Sequence, residues 1–199
     1  MIKTSKRELQ DIGKAWVIIS LAFAVIFSHA FLFGGNFFQV FSWQFLLTVG
    51  VALLTAGLGF LLHELAHKVV AQRYGCQAEF RAFDQMLFLA LGLAILVGFL
   101  FAAPGAVMIS GMVTRKENGH ISLAGPATNY VLGMVFLLLT FLSSSLNWAF
   151  ALGFRINLWL GLFNLLPFWN FDGKKIYHWN PWVWGAMVAF GGYFVFFWG

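Results

Sequence analysis

The sequence predicts an all-α polytopic membrane protein, and three observations carry that prediction. Of its 199 residues, 61% are hydrophobic and 10% charged, whereas a soluble domain holds about 25% charged residues. The apolar residues gather into about six runs, each near the ~20 residues a helix needs to cross ~30 Å of hydrocarbon. Aromatics make up 19%, with 25 Phe and 9 Trp, and many stand near the ends of those runs, where an interfacial belt sits. The chain reads as one membrane-embedded domain over residues 1–199, too short for a second large soluble domain. A net charge of +5 is spread over short loops, which gives nucleic-acid binding no support. A single cysteine, Cys76, excludes an intramolecular disulfide.

The first run, about 15–33, follows Lys3, Lys6, Arg7 and Lys14. It is longer than the core of a signal peptide and no small-residue cleavage site closes it, so it reads as a retained helix with its basic flank in the cytoplasm. His29, at its outer end, reads as an interfacial histidine. The second run, about 42–67, returns to the side of Lys68, Arg73 and Arg81. Its Gly57 and Gly59 permit close helix packing or a cleft.

The third run, about 86–103, leads into Pro104 to Gly119. Arg115 and Lys116 favour the cytoplasm, as do Lys174 and Lys175. All are satisfied only if the third run is not a simple crossing. A short β element or re-entrant hairpin is therefore expected near residues 86–113. Within it, Ala106-Val-Met-Ile-Ser110 is β-favouring and reads as an edge strand or as the return limb of the hairpin. The fourth, fifth and sixth runs cover about 121–145, 147–168 and 181–198. Gly34-Gly35-Asn36, Gly75 to Asp84 and Asn170 to Pro181 read as connecting loops. In the fifth run Arg155 reads either as snorkelling to the outer interface or as pairing with another group, while Asn157 and Asn164 share an inward helix face.

Chemistry concentrates in the second run, which contains His63-Glu64-Leu-Ala-His67. Residues i and i+4 differ by about 40° around a helix, so both imidazoles face one side and can reach one Zn²⁺. Glu64 stands beside that position, placed to take a proton from a metal-activated water. Two histidines and a glutamate in an apolar span are costly to bury without a function. A catalytic zinc needs a third protein ligand. Asp172 is the first candidate: Pro167 bends the preceding helix and Gly173 allows a tight turn after it. Asp84, His120 and His178 are alternatives in polar loops. His67 and Asp172 share a metal only if an even number of crossings separates them, which again requires the third run to return to its own side.

His63-Glu-Leu-Ala-His67, Ala124-Gly-Pro-Ala-Thr-Asn129 and Asn164-Leu-Leu-Pro-Phe-Trp-Asn-Phe-Asp172-Gly173 together resemble the site-2 protease family of intramembrane zinc metalloproteases. The resemblance implies hydrolysis of peptide bonds within or near transmembrane helices of protein substrates. It implies His63, His67 and Asp172 as ligands of one Zn²⁺ per chain and Glu64 as the catalytic base. It places Asn129 near the active site, to position substrate or stabilise an oxyanion; helix–helix hydrogen bonding is the alternative. The chain departs from the family pattern at Lys174, where a second Gly is common, and at Asn170-Phe171, where a second Pro is common. The third run looks like an insertion where simpler members carry short strands. The expected setting is a lipid bilayer, with an integral protein in the cell membrane, a cytoplasmic N-terminus and an active site nearer that side. A metal-binding membrane transporter would want more polar residues along a path. A silent membrane scaffold would be expected to have lost a ligand or Glu64.

Overall fold

The computed structural model describes residues 4–100 and 105–198. Lys3 of the basic flank and residues 101–104 of the expected hairpin, Pro104 included, lie outside the described residues. The described chain is mostly helical with one two-stranded sheet. In order it forms α1 (Lys6–Phe27), α2 (Trp43–Ala52), a π turn (Leu53–Gly57), α3 (Leu58–Arg73), β1 (Gln77–Ala82) and α4 (Asp84–Val97). There follow β2 (Gly105–Ser110), α5 (Arg115–Thr140), α6 (Asn147–Asn164), α7 (Asp172–Trp179) and α8 (Pro181–Tyr193), which a second π turn (Phe194–Trp198) extends.

Among the described residues, 4 helical stretches are long and apolar enough to cross a membrane: Lys6–Phe27, Trp43–Arg73, Arg115–Thr140 and Pro181–Trp198. The expectation of about six such segments is not confirmed, because two of the runs fall short of that length or apolar content. The third run folds as α4, whose 14 residues span about 21 Å at 1.5 Å each, short of ~30 Å of hydrocarbon. The fifth run folds as α6, where Asn147, Arg155, Asn157 and Asn164 dilute the apolar content.

The two strands were expected unequally. Ala106–Ser110 falls within β2, whereas β1 occupies a stretch read as loop, although its Ala78 and Phe80 are buried with the alternation of a strand. Gly105 lies against the Arg81 carbonyl and Gly111 against Cys76, so the strands run antiparallel. The chain that leaves the sheet after Ala82 therefore comes back to it at Gly105, the return that the loop charges require.

The chain divides into two compact units. One holds Lys3–Leu58 with Phe80–Ala106. Its α1 starts where the Ser5 hydroxyl accepts from the Glu8 N–H at 3.1 Å, and Ala22 and Val25 of α1 pack with Ala94 of α4. Polar side chains in the first half of α1 fasten residues 80–84: Glu8 accepts from the Phe80 N–H at 2.9 Å, the Asp11 carboxylate lies 3.5 Å from the Arg81 guanidinium, and Lys14 pairs with the Asp84 carboxylate. The Trp16 indole donates to Leu53 O in the π turn at 3.0 Å.

The other unit holds Gly59–Glu79 with Val107–Gly199. A capping box between Thr114 and Glu117 starts α5 at Arg115, six residues ahead of the apolar run. Gly133 faces Leu158 and Gly153 faces Phe136, so α5 and α6 pack antiparallel with small residues at their crossing. Tyr130, Phe136, Phe154, Leu158, Leu165 and Ile176 form its core. The stretch Asn170 to Pro181, read as a loop, contains α7, anchored by the fully buried Ile176.

Candidate metal centre

The second unit contains every residue of the expected metal site. α3 places His63 and His67 one turn apart with their rings 4.7 Å centre to centre, as the i, i+4 spacing requires. α7 supplies Asp172 in its first turn, where a carboxylate suits the positive end of the helix dipole. Gly173 makes that delivery feasible. A Cβ there would stand 2.0 Å from the backbone oxygen of Leu165, so only glycine lets α7 begin against the end of α6. The Trp184 indole donates to the same oxygen at 2.7 Å and holds this turn.

Asp172 Oδ2 lies 3.3 Å from His63 Nε2 and 3.1 Å from His67 Nε2. Tetrahedral ligands at ~2.05 Å from one zinc stand ~3.3 Å apart, so this donor set fits such an ion. All three side chains are buried, and among the described residues they form a group whose ligand atoms lie within 4.8 Å of one another. The far side of each imidazole is also settled. His63 Nδ1 is 2.6 Å from Asn129 Oδ1, and His67 Nδ1 is 2.7 Å from the Ile121 carbonyl. Both partners accept, so both Nδ1 atoms carry a proton, and Nε2 is the ring atom each histidine turns to the group, free to ligate a metal once it carries no proton. Gly125 completes the cradle: a Cβ there would come within 2.6 Å of both Nε2 atoms.

Burial pushes the Asp172 carboxyl up, but the neighbouring His67 and His63 act more strongly in the other direction and hold it below the usual carboxylate range. Its second oxygen, Oδ1, is 4.0 Å from the Lys175 ammonium. Glu64 points to the strand: its Oε2 accepts the Val107 N–H of β2 at 3.1 Å.

Asn129 is fully buried, and both ends of its amide are engaged. The oxygen accepts from His63, while the nitrogen donates to Gly59 O and to Asn157 Oδ1, each at 3.1 Å. The alternative ligands stand apart from the group. Asp84 pairs with Lys14, His120 Nδ1 lies 2.6 Å from the Tyr74 hydroxyl, and His178 donates to Lys174 O at 2.6 Å. Asn157 was read in the sequence only as inward-facing, and Val107 only as part of a strand; their contacts depend on residues far away in the chain.

The chain is 40% identical over 191 residues to a protein of Methanocaldococcus jannaschii named as a zinc metalloprotease, MJ0611, a match covering 94% of this chain and 92% of that one. A second zinc metalloprotease of that organism, MJ0392, is 29% identical over 120 residues. A Mycobacterium tuberculosis protein named as the zinc metalloprotease Rip3 is 35% identical over 136 residues. The chain spans 30% of the length of MJ0392 and 29% of that of Rip3. No family model matches the chain, and no solved structure does. The relatives' names and the His–His–Asp group agree on the cofactor: one zinc ion.

Proposed function

The chain belongs to the site-2 protease family of zinc metalloproteases, and from that premise we propose that it is an intramembrane endopeptidase. In this reading His63, His67 and Asp172 hold the zinc, Glu64 is the general base, and the substrate is a membrane protein cut within or near a transmembrane helix. The supporting observation is the shared oxygen: one carboxylate atom within 3.3 Å of two imidazole Nε2 atoms on an apolar 31-residue helix. When bound, zinc supplies Lewis acidity, polarising a peptide carbonyl and lowering the pKa of water towards ~7.

The chain's own residues do the remainder. Glu64 is held through Oε2 by the Val107 N–H, which leaves Oε1 to take the proton from the attacking water and pass it to the leaving amine. A helical peptide bond is shielded by its own hydrogen bonds, so the substrate must unwind first. β2 lies beside Glu64 and offers backbone groups with which an unwound segment pairs as an added strand. Basic residues that follow the metal-site side chains in sequence, Lys68 and Lys174 among them, favour a cytoplasmic N-terminus and a site nearer the cytoplasmic face of a cell membrane.

The test is cleavage of a reporter helix reconstituted with the protein in lipid vesicles. Wild type is expected to cut it, and Glu64→Gln is expected to lose about 10²–10⁴-fold in rate while retaining zinc. Equal cleavage by Glu64→Gln and wild type would remove Glu64 from the chemistry.

A further inference from the structure

Two buried amides stand behind His63 with the nitrogen and the oxygen of each hydrogen-bonded, on residues 28 positions apart in sequence. Asn157 and Asn129 both have 0% exposure. Asn157 Nδ2 donates to the Gly153 carbonyl at 2.9 Å, and its Oδ1 accepts from Asn129 Nδ2 at 3.1 Å. Asn129 Nδ2 also donates to the Gly59 carbonyl at 3.1 Å. Asn129 Oδ1 is thereby left for His63 Nδ1, at 2.6 Å.

The direction of this chain is not free. Gly153 O and Gly59 O are backbone carbonyls that only accept. Turning Asn157 over would set its oxygen against Gly153 O, and turning Asn129 over would set its oxygen against Gly59 O. Each amide therefore has one permitted orientation, and the sequence of donors ends with an acceptor at His63. An acceptor there requires a proton on Nδ1, so in the neutral ring Nε2 is the atom left to ligate a metal. Position 59 admits this packing only as glycine, because a Cβ would stand 2.1 Å from Asn157 Oδ1. His67 is fixed differently, by the single carbonyl of Ile121.

We infer that Asn157 is a positioning residue for the metal centre: acting through Asn129, it fixes the ring orientation and tautomer of His63 without touching the metal or the substrate. The inference rests on the zinc reading above and deepens it. Asn157→Leu removes both amide functions. Asn157→Ser, the gentler variant, can still bond to Gly153 O one turn back but is too short to reach Asn129.

The experiment uses the zinc-loaded protein with ¹⁵N-labelled histidine. Zinc affinity is measured by chelator competition, and proton exchange is followed at the two Nδ1–H groups. Wild type is expected to bind one zinc and to show slow exchange at both His63 and His67. In both Asn157 variants zinc affinity falls about 10–100-fold, and His63 Nδ1–H exchanges faster while His67 keeps its protection. Leu158→Ala, which damages the neighbouring core, is expected to lower thermal stability without separating the two histidines. Unchanged affinity and unchanged His63 exchange in the serine variant overturn the inference. So does equal loss of protection at His63 and His67, which marks general loosening. A wild type that binds no zinc overturns the protease reading and this role with it.

Discussion

A Cβ on residue 125 would stand 2.5 Å from His67 Nε2 and 2.6 Å from His63 Nε2, so the metal group has no room for a methyl on the facing helix. Gly125→Ala is expected to lower zinc affinity at least ~10-fold by displacing both imidazoles. Gly50→Ala, at a helical position with open space, is the matched control, and zinc titration of both variants checks the difference. Most of the site was legible at this scale. The i, i+4 histidines announce their common face by spacing alone, and Asp172 followed from Pro167, Gly173 and the count of crossings. Asn129 was only half legible. Its nearness to the site came from a motif, but its amide's commitments depend on Gly59 and Asn157, which local sequence does not connect to it. Both its N–H groups donate to those partners, on α3 and α6, which is the helix–helix hydrogen bonding the sequence offered as its alternative role.

Among the elements, β2 and α7 matter most because each delivers one working group to α3. Val107→Pro deletes the N–H that Glu64 accepts; a hydrogen bond to a charged group contributes about 1.5–3 kcal/mol, so cleavage is expected to fall by roughly 10–100-fold. Zinc content should stay that of wild type, which metal analysis alongside the reporter assay would check. Gly173→Ala forces a Cβ into the Leu165 backbone and must shift the first turn of α7, carrying Asp172 away. It is expected to lose zinc and cleavage together, unlike the proline variant. Hydropathy found the apolar helices but not these connecting elements. β1 and α7 are short and polar on their exposed faces, and their only signals are the alternation at Ala78 and Phe80 and the buried Ile176. The start of α5 was legible in Thr114 and Glu117, a capping-box spacing, yet the polar turn after it masks the helix from an apolar count.

For the whole molecule, the four long apolar helices among the described residues fit a membrane protein, and it is expected to stay with the membrane through an alkaline carbonate wash; release into the supernatant would contradict that. The composition made the membrane class plain. The number of apolar segments was harder to read, because α4 is apolar but short and α6, though it runs antiparallel to α5, is diluted by Arg155 and three asparagines. In the proposed reading one zinc is held by two residues of α3 and one of α7, brought together from opposite ends of more than 100 residues of chain. Metal analysis of detergent-purified wild type, His67→Ala and Asp172→Ala tests it most directly. About one zinc per chain in wild type, with little left in either variant, is the result expected. Full zinc retained in Asp172→Ala, or none in wild type, would contradict it.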